Sequence, residues 1–193
     1  MQQQISIRQA TINDAAFIAQ TVAMAIEDEK ILRDYAGENY IQVFETIATA
    51  ETTQYSYLNT LIAETEKGNI LGAVIGYDGK KLSQLKQATL DIVKQLTALQ
   101  PQISDEADKD EFYIDSLAVH PDNRNKKIGT KLLKAICKKA TEEKHQKIGL
   151  LVDTSNIKAE KLYTSVGFRQ VGYKCFFSHT MKHLQISKSD EAN

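Results

Sequence analysis

The sequence predicts an α/β domain built on a mixed sheet of about seven strands. Three observations carry that expectation. Apolar residues repeat at period two in some stretches and near period 3.6 in others, and the two kinds alternate along the chain. Two strand-like runs flank the turn Lys67-Gly68-Asn69, which gives an antiparallel hairpin. Residues 112–152 then read strand, helix, strand, a unit whose two strands are parallel and adjacent or nearly so.

Composition narrows the function classes. The chain has 193 residues, 42% of them hydrophobic and 25% charged, enough for one soluble domain with a sizeable core. A net charge of −1 supplies no global field toward nucleic acid or membrane, so neither is expected as a partner. Positive charge is nevertheless concentrated: Lys126, Lys127, Lys131, Lys134, Lys138, Lys139 and Lys144 follow Arg124, against only Glu142 and Glu143. The later lysines fit a solvated helix face, while those at the turn are candidates for function. Cys137 and Cys175 lack metal-ligand spacing, so two reduced structural thiols and no metal are expected. The start MQQQISIRQ lacks the basic-then-apolar pattern of a signal peptide, and no run approaches a membrane span. A cytoplasmic protein is expected.

Ile5 and Ile7 alternate with polar residues as a short half-buried strand. Asn13 or Asp14 can cap a helix whose stripe includes Phe17, Ile18, Val22 and Ile26. A second helical segment follows Tyr40, through Ile41, Phe44 and Ile47. Residues 57–63 and 70–77 are the hairpin strands. Leu82, Leu85, Thr89, Ile92, Leu96 and Leu99 recur at helical steps, and Pro101 stops them. No flexible linker borders this stretch, so residues 82–99 form a helix inserted into one domain spanning 1–186, with 187–193 a polar tail. The helix could cover the core or present the face of a homodimer. The acidic segment Asp105, Glu106, Asp108, Asp110 and Glu111 could attract a cationic ligand or be a solvated loop. After the strand at 112–119, Ile128, Leu132, Leu133, Ile136, Cys137 and Ala140 share one helical face. A strand at 147–152, a short helix through Ala159, Leu162, Tyr163 and Val166 ended by Gly167, and strands at 168–177 and 179–184 complete the order.

The stretch Phe112 to Ala140 organises the chain. A strand feeds a tight basic turn that opens onto a helix, so backbone N–H groups from Arg124 through Thr130 can hold a phosphate. That turn, Arg124-Asn125-Lys126-Lys127-Ile128-Gly129, resembles the Q/R-x-x-G-x-G/A signature of the GNAT superfamily of N-acetyltransferases. LAVHP at 117–121, the pair Leu132-Leu133, and Asn156 followed by LYTSVGF at 162–168 are similar to the same family. So is the order of elements, apart from the inserted helix. The resemblance departs at Lys127, which replaces the first signature glycine, and at Asn125, where glycine is also common. Lysine suits that place if helical φ/ψ suffices; if φ > 0 or unobstructed contact is needed, cofactor binding is weakened.

The resemblance implies acetyl-CoA as co-substrate and a primary amine, on a small molecule or a peptide, as acceptor. It places the pyrophosphate on the backbone of Arg124, Asn125, Lys126, Lys127, Ile128, Gly129 and Thr130. It places the pantetheine arm against Leu117, Ala118 and Val119, where the central strand bulges and splays from its neighbour. Asn156 can cap its helix and, by the resemblance, also meet the cofactor, and Tyr163 would protonate the departing thiolate. Asp115, a carboxylate interrupting an apolar strand, is the candidate to take the proton of an ammonium of pKa about 10.4, with Glu111, Tyr113, Ser116 and His120 nearby as other choices. Acceptor pockets of this family draw on the counterparts of 27–40, 82–111 and 176–182. The alternative is a non-catalytic acyl-CoA-binding module. A nucleotide-binding βαβ protein is disfavoured, since the chain has neither G-x-G-x-x-G nor a Walker loop.

Overall fold

A computed structural model describes residues 4–187. Residues 1–3, part of the segment judged against a signal peptide, and 188–193, nearly all of the expected tail, lie outside the described residues. The chain runs β1 (Ile5–Gln9), α1 (Ala15–Ile26), α2 (Glu29–Ala36), α3 (Tyr40–Thr49), β2 (Thr60–Thr65), β3 (Ile70–Asp78) and α4 (Leu82–Thr97). It continues β4 (Phe112–Val119), α5 (Ile128–Glu142), β5 (Lys147–Asp153), α6 (Ile157–Thr164), β6 (Arg169–Phe176) and β7 (His179–Ser187). The seven strands form one mixed sheet in the order β1-β2-β3-β4-β5-β7-β6. Only β4 and β5 pair in parallel, the two strands joined through α5.

Each face of the sheet carries helices because each has its own apolar set. On one side Ile18 and Val22 of α1, Phe44 and Ile47 of α3 and Val93 of α4 close over Ile62, Ala73 and Ile75. On the other, Ile128, Leu132, Leu133 and Ile136 of α5 pack on Val74, Ile114 and Leu150. Burying a leucine or isoleucine of this kind contributes about 1.5–3 kcal/mol. No helix among the described residues is long and apolar enough to cross a membrane.

Three local differences from the sequence expectation have physical reasons. Residues 57–59 form a 3-10 turn capped by the Ser56 hydroxyl, so β2 starts at Thr60, three residues later than expected. An additional helix, α2, begins where the Asp28 carboxylate accepts from the N–H groups of Lys30 and Ile31. The Asp14 carboxylate, rather than capping α1, is taken by Arg8 at 2.7 and 2.9 Å and by the Thr11 N–H at 2.7 Å. The inserted helix α4 covers the core: Leu82, Leu85, Thr89 and Val93 are buried on its inner stripe.

Candidate active site

The site begins where the sheet comes apart. β4 and β5 are paired only at Phe112–Ile148, Tyr113–Gly149 and Ile114–Leu150, and the ladder stops there although both strands continue. On its other edge β4 carries a bulge: Ile114 pairs with Gly76 and Ser116 with Ile75, so Asp115 is the extra residue. A bulge bends a strand and re-aims its side chains. Gly76 permits it, since a Cβ there would stand 2.7 Å from the Phe112 ring and 3.0 Å from the Tyr113 carbonyl. Strand splay and bulge are thus both present, at the residue where the apolar pattern of the strand breaks.

Beyond the splay, β4 leads through the turn into α5. Asn125 has φ 64° and Lys127, the N-terminal cap of α5, has φ 61°. The signature position therefore takes the left-handed conformation that glycine adopts freely, and lysine holds it at a cost of about 1 kcal/mol. Alternating left-handed residues before a helix turn successive N–H groups into one concavity suited to an anion, and the helix dipole adds to it. The side chains do less than their charges suggest. Lys126 turns away to the Asp122 carbonyl (3.0 Å) and Asn123 Oδ1 (2.9 Å), and Arg124 Nε donates to the Val119 carbonyl at 3.3 Å. Lys127→Gly is expected to raise stability by up to about 0.5 kcal/mol in urea unfolding, because the strain it relieves exceeds the added freedom of the unfolded chain. A midpoint lowered by about 0.5–1 kcal/mol, the full cost of that freedom, would show that Lys127 is unstrained.

Two hollows meet at the splay. One, of about 490 Å³, is lined by Leu117, Ala118, Val119, Arg124, Asn125, Lys127, Ile128, Gly129, Thr130, Asn156 and Tyr163. The expected cofactor residues thus come together on one wall, except Lys126. The other, of about 540 Å³, is lined by Asp115, Tyr113 and Ser116, with Asp28, Ile31, Tyr55, Leu151, Asp153, Phe176, Phe177, His179 and Met181. Met24, Glu27, Leu117, Asn156, Ala159 and Tyr163 belong to both. The Asn156 side chain caps α6 through the Ala159 N–H at 3.0 Å, and the residue lines both hollows. Burial raises the Tyr163 phenol to about 12, and its ring packs edge-on against Phe168.

Of the three segments expected to shape an acceptor pocket, the first and last line the larger hollow through Glu27, Asp28, Ile31, Phe176, Phe177 and His179. Residues 82–111 line neither hollow. They lie one layer behind, and the acidic segment is divided: Asp105, Asp108 and Asp110 are exposed, as in a solvated loop, while Glu106 and Glu111 turn inward. Glu106 is 2% exposed and Glu111 0%. Glu111 is therefore no candidate base: its carboxylate sits behind β5, 2.9 Å from His183 Nε2, and accepts from Gln185 Nε2 at 2.6 Å and the Asp108 N–H at 2.8 Å. Asp108, Glu111 and His183 bring ligand-type atoms within 4.8 Å of one another, a grouping that the spacing of the cysteines gives no hint of. His120 faces Asp122 on the rim and lines neither hollow.

Asp115 is half-buried at the floor of the larger hollow. Its Oδ1 accepts from the Ser116 hydroxyl at 2.8 Å, and its Oδ2 lies 2.8 Å from the Tyr77 hydroxyl. Burial, and then the nearby Glu106 carboxylate, push its pKa up to about 7, against the pull of those two hydrogen bonds. Tyr77 also stands 3.0 Å from Glu106 Oε1, which accepts from Gln54 Nε2 at 2.6 Å, and Lys86 Nζ lies 3.2 Å from Glu106 Oε2. Gln54 and Tyr77 carry no expectation from the sequence; Lys86 and Glu106 fall within the 82–111 segment expected near an acceptor, but they reach Asp115 from behind rather than lining the hollow. The one sequence signal was Lys86 among the inward positions Leu82, Leu85 and Thr89 of the inserted helix.

With this geometry in view, comparison with known proteins is direct. The profile of the acetyltransferase (GNAT) family matches residues 29–168. The chain belongs to that family. An N-acetyltransferase from Staphylococcus aureus Mu50 superposes with TM-score 0.81 at 29% identity, covering 94% of this chain and 100% of that one. A crystal structure described as an acetyltransferase gives TM-score 0.78, also at 29% identity, with 94% and 98% covered. An aminoglycoside acetyltransferase in complex with coenzyme A shares the fold, with TM-score 0.62, 16% identity and 96% of each chain covered. No curated protein matches the sequence. The GNAT fold here is the mixed seven-stranded sheet with α4 inserted between β3 and β4.

Proposed function

We propose that this GNAT protein transfers the acetyl group of acetyl-CoA to a primary amine by direct attack. The observation that carries the reading is the meeting of the two hollows at Tyr163 and Leu117, where β4 leaves β5. The smaller hollow has the anion cradle at its outer end and suits the cofactor, with the pyrophosphate on the N–H groups before and within the first turn of α5. The pantetheine arm would pair with the free edge of β4 at Leu117 and Val119, and an N–H of that edge would polarise the thioester carbonyl. The larger hollow suits a cation: Glu27, Asp28, Asp115 and Asp153 line it against His179 alone, and His179 is itself 3.1 Å from Asp153. The solved aminoglycoside acetyltransferase with coenzyme A supports acetyl-CoA as the donor for this fold.

In the reaction, Asp115 takes a proton from the bound ammonium, the freed amine attacks the thioester carbon, and the tetrahedral intermediate expels the CoA thiolate. Tyr163 gives its proton to sulfur, and the second proton lost by the attacking nitrogen as the amide forms restores the phenol. Cys137 and Cys175 lie in neither hollow, and burial raises the Cys137 thiol to about 12, which agrees with a route lacking an acyl-enzyme. A thiol of pKa about 8.5 is a good leaving group, so the acid contributes less than the base. Tyr163→Phe is expected to lower kcat about tenfold and leave acetyl-CoA affinity within about twofold. Unchanged turnover would assign Tyr163 to packing against Phe168 alone.

The reading is tested by mixing the protein with acetyl-CoA and a panel of amines and measuring free thiol. Acceptor-dependent release is expected. Thermal stabilisation by acetyl-CoA with no release across the panel would favour a non-catalytic acyl-CoA-binding module instead.

A further inference from the structure

The Tyr77 hydroxyl has one hydrogen and two carboxylate neighbours, Asp115 Oδ2 at 2.8 Å and Glu106 Oε1 at 3.0 Å. Both separations are hydrogen-bond distances, and one hydrogen serves only one of them. Gln54 Nε2 does not supply the missing hydrogen, since it donates to Glu106 Oε1 (2.6 Å) and to the Tyr77 oxygen (3.2 Å) and leaves the Asp115 contact untouched. The network also has an excess of acceptors: Glu106 Oε2 and Gln54 Oε1 are buried side-chain oxygens without a hydrogen bond. Two carboxyls joined through a phenol need one further proton, carried by one of them.

We propose that Asp115 and Glu106 share a single proton through Tyr77, so that Glu106, held by Lys86 of the inserted helix, is a positioning residue that governs when Asp115 is free to act as base. With the proton on Glu106 Oε1, that O–H donates to the Tyr77 oxygen and Tyr77 donates to ionised Asp115. Moving both hydrogens one place reverses the pair: Tyr77 donates to ionised Glu106, and Asp115 carries the proton. No oxidant and no leaving group are involved; two O–H bonds break and two form. Only the first arrangement leaves Asp115 able to take a proton from an ammonium group. Lys86 Nζ lies 3.2 Å from Glu106 Oε2 and 2.8 Å from exposed Asp105, which favours charge on Glu106 and keeps the first arrangement from being locked in. The inserted helix thereby reaches the site without lining it.

The other groups facing Asp115 do not replace Glu106. Tyr35 of α2, Tyr55, Tyr77 of β3 and Tyr113 of β4 are phenols raised by burial, uncharged at neutral pH. Asp28, Asp153 and His179 stand around the same hollow, and His179 is engaged with Asp153. Glu27 lines that hollow as well. Behind the strand stand Glu106 and Lys86, with Lys174 Nζ 2.9 Å from the Glu106 carbonyl and 2.8 Å from Asp108, and Glu111 engaged with His183 and Gln185.

The catalytic consequence rests on the proposed role of Asp115, but the first test does not. Infrared difference spectra of the free protein, recorded from about pH 6 to about pH 9, isolate a protonated carboxyl because ordinary carboxylates are ionised throughout. Wild type is expected to show the C=O stretch of one carboxylic acid near neutral pH, and Glu106→Gln to lose it there. Should the amide not fold, Glu106→Met removes the same carboxyl with a side chain of similar length. With an acceptor amine in hand, the acidic limb of kcat/KM is expected about 1–2 pH units lower in the variant, since a like charge no longer opposes ionisation of Asp115. A purely structural Glu106 would change the melting temperature and leave both the band and the limb in place; that result overturns the proposal. A lost band with no turnover on any amine would leave the shared proton standing and count against the acetyltransferase reading.

Discussion

Asp115→Asn is expected to lower kcat/KM by about 100-fold or more while making the protein no less stable at pH 8. The two effects part because the residue costs the fold what it gives the chemistry. Its pKa is about 7 in the folded protein and about 3.9 in an unfolded chain. Below about pH 4 both states are protonated and the group contributes nothing. As pH rises the unfolded chain ionises first, so stability falls, and the full penalty is present above about pH 7. Asparagine carries no such penalty, so the slope between about pH 4 and about pH 7 flattens. Activity runs the other way: wild-type kcat/KM climbs through about pH 7 as Asp115 ionises, and that limb disappears in the variant. Urea titrations across pH, set beside pH–rate profiles, read both. A stable variant with full activity would remove Asp115 from the mechanism. One that merely unfolds would make it a structural residue.

Gly149→Ala carries the largest expected effect on stability, a loss of about 3 kcal/mol or more. A Cβ on Gly149 would stand 1.8 Å from Glu111 Oε2 and 2.4 Å from its Cδ. That carboxylate has nowhere to go. It is fully buried, the Asp108 N–H binds one oxygen, and His183 and Gln185 crowd the other. Either β5 shifts at one of its three pairs with β4 or the carboxylate abandons its partners. A lowered urea midpoint with an unchanged m-value is the expected readout. In a double-mutant cycle, Gly149→Ala and Glu111→Ala should cost less together than the sum of the two singly, because the second removes the clash made by the first. Additivity would mean that the strand has room.

What the sequence made legible was local. The 3.6 period of residues 128–140, the hairpin about Gly68 and the βαβ order are written in neighbouring residues, and each element is present. Asp115 could be singled out because a carboxylate within an apolar strand is costly enough to need a reason. The helix at 29–36 escaped because it is short and half charged; Ile31, Leu32, Tyr35 and Ala36 span little more than one turn, too few to set a period. Glu106 could be named as one acid of a cluster, but its burial and its tie to Asp115 could not be read. Its partners Gln54, Tyr77 and Lys86 lie between 20 and 52 positions earlier in the chain, and no pattern near Glu106 distinguishes a buried acid from a solvated one. Lys127 was recognised as a departure, but its positive φ depends on how the turn delivers the chain to α5, not on lysine.

The interrupted ladder between β4 and β5 has a mechanical side. Four strands lie to one side of that seam and three to the other, and just three residue pairs stitch them. Backbone pairing across the seam is therefore sparse, and the join leans on the apolar cluster in which Val74 and Ile114 meet Leu150 and Val152 under α5. A molecule that lays its own amide groups along the open edge acts as a tie bar. Acetyl-CoA bound as proposed would then brace the domain as well as prime it, and its departure would hand the slack back.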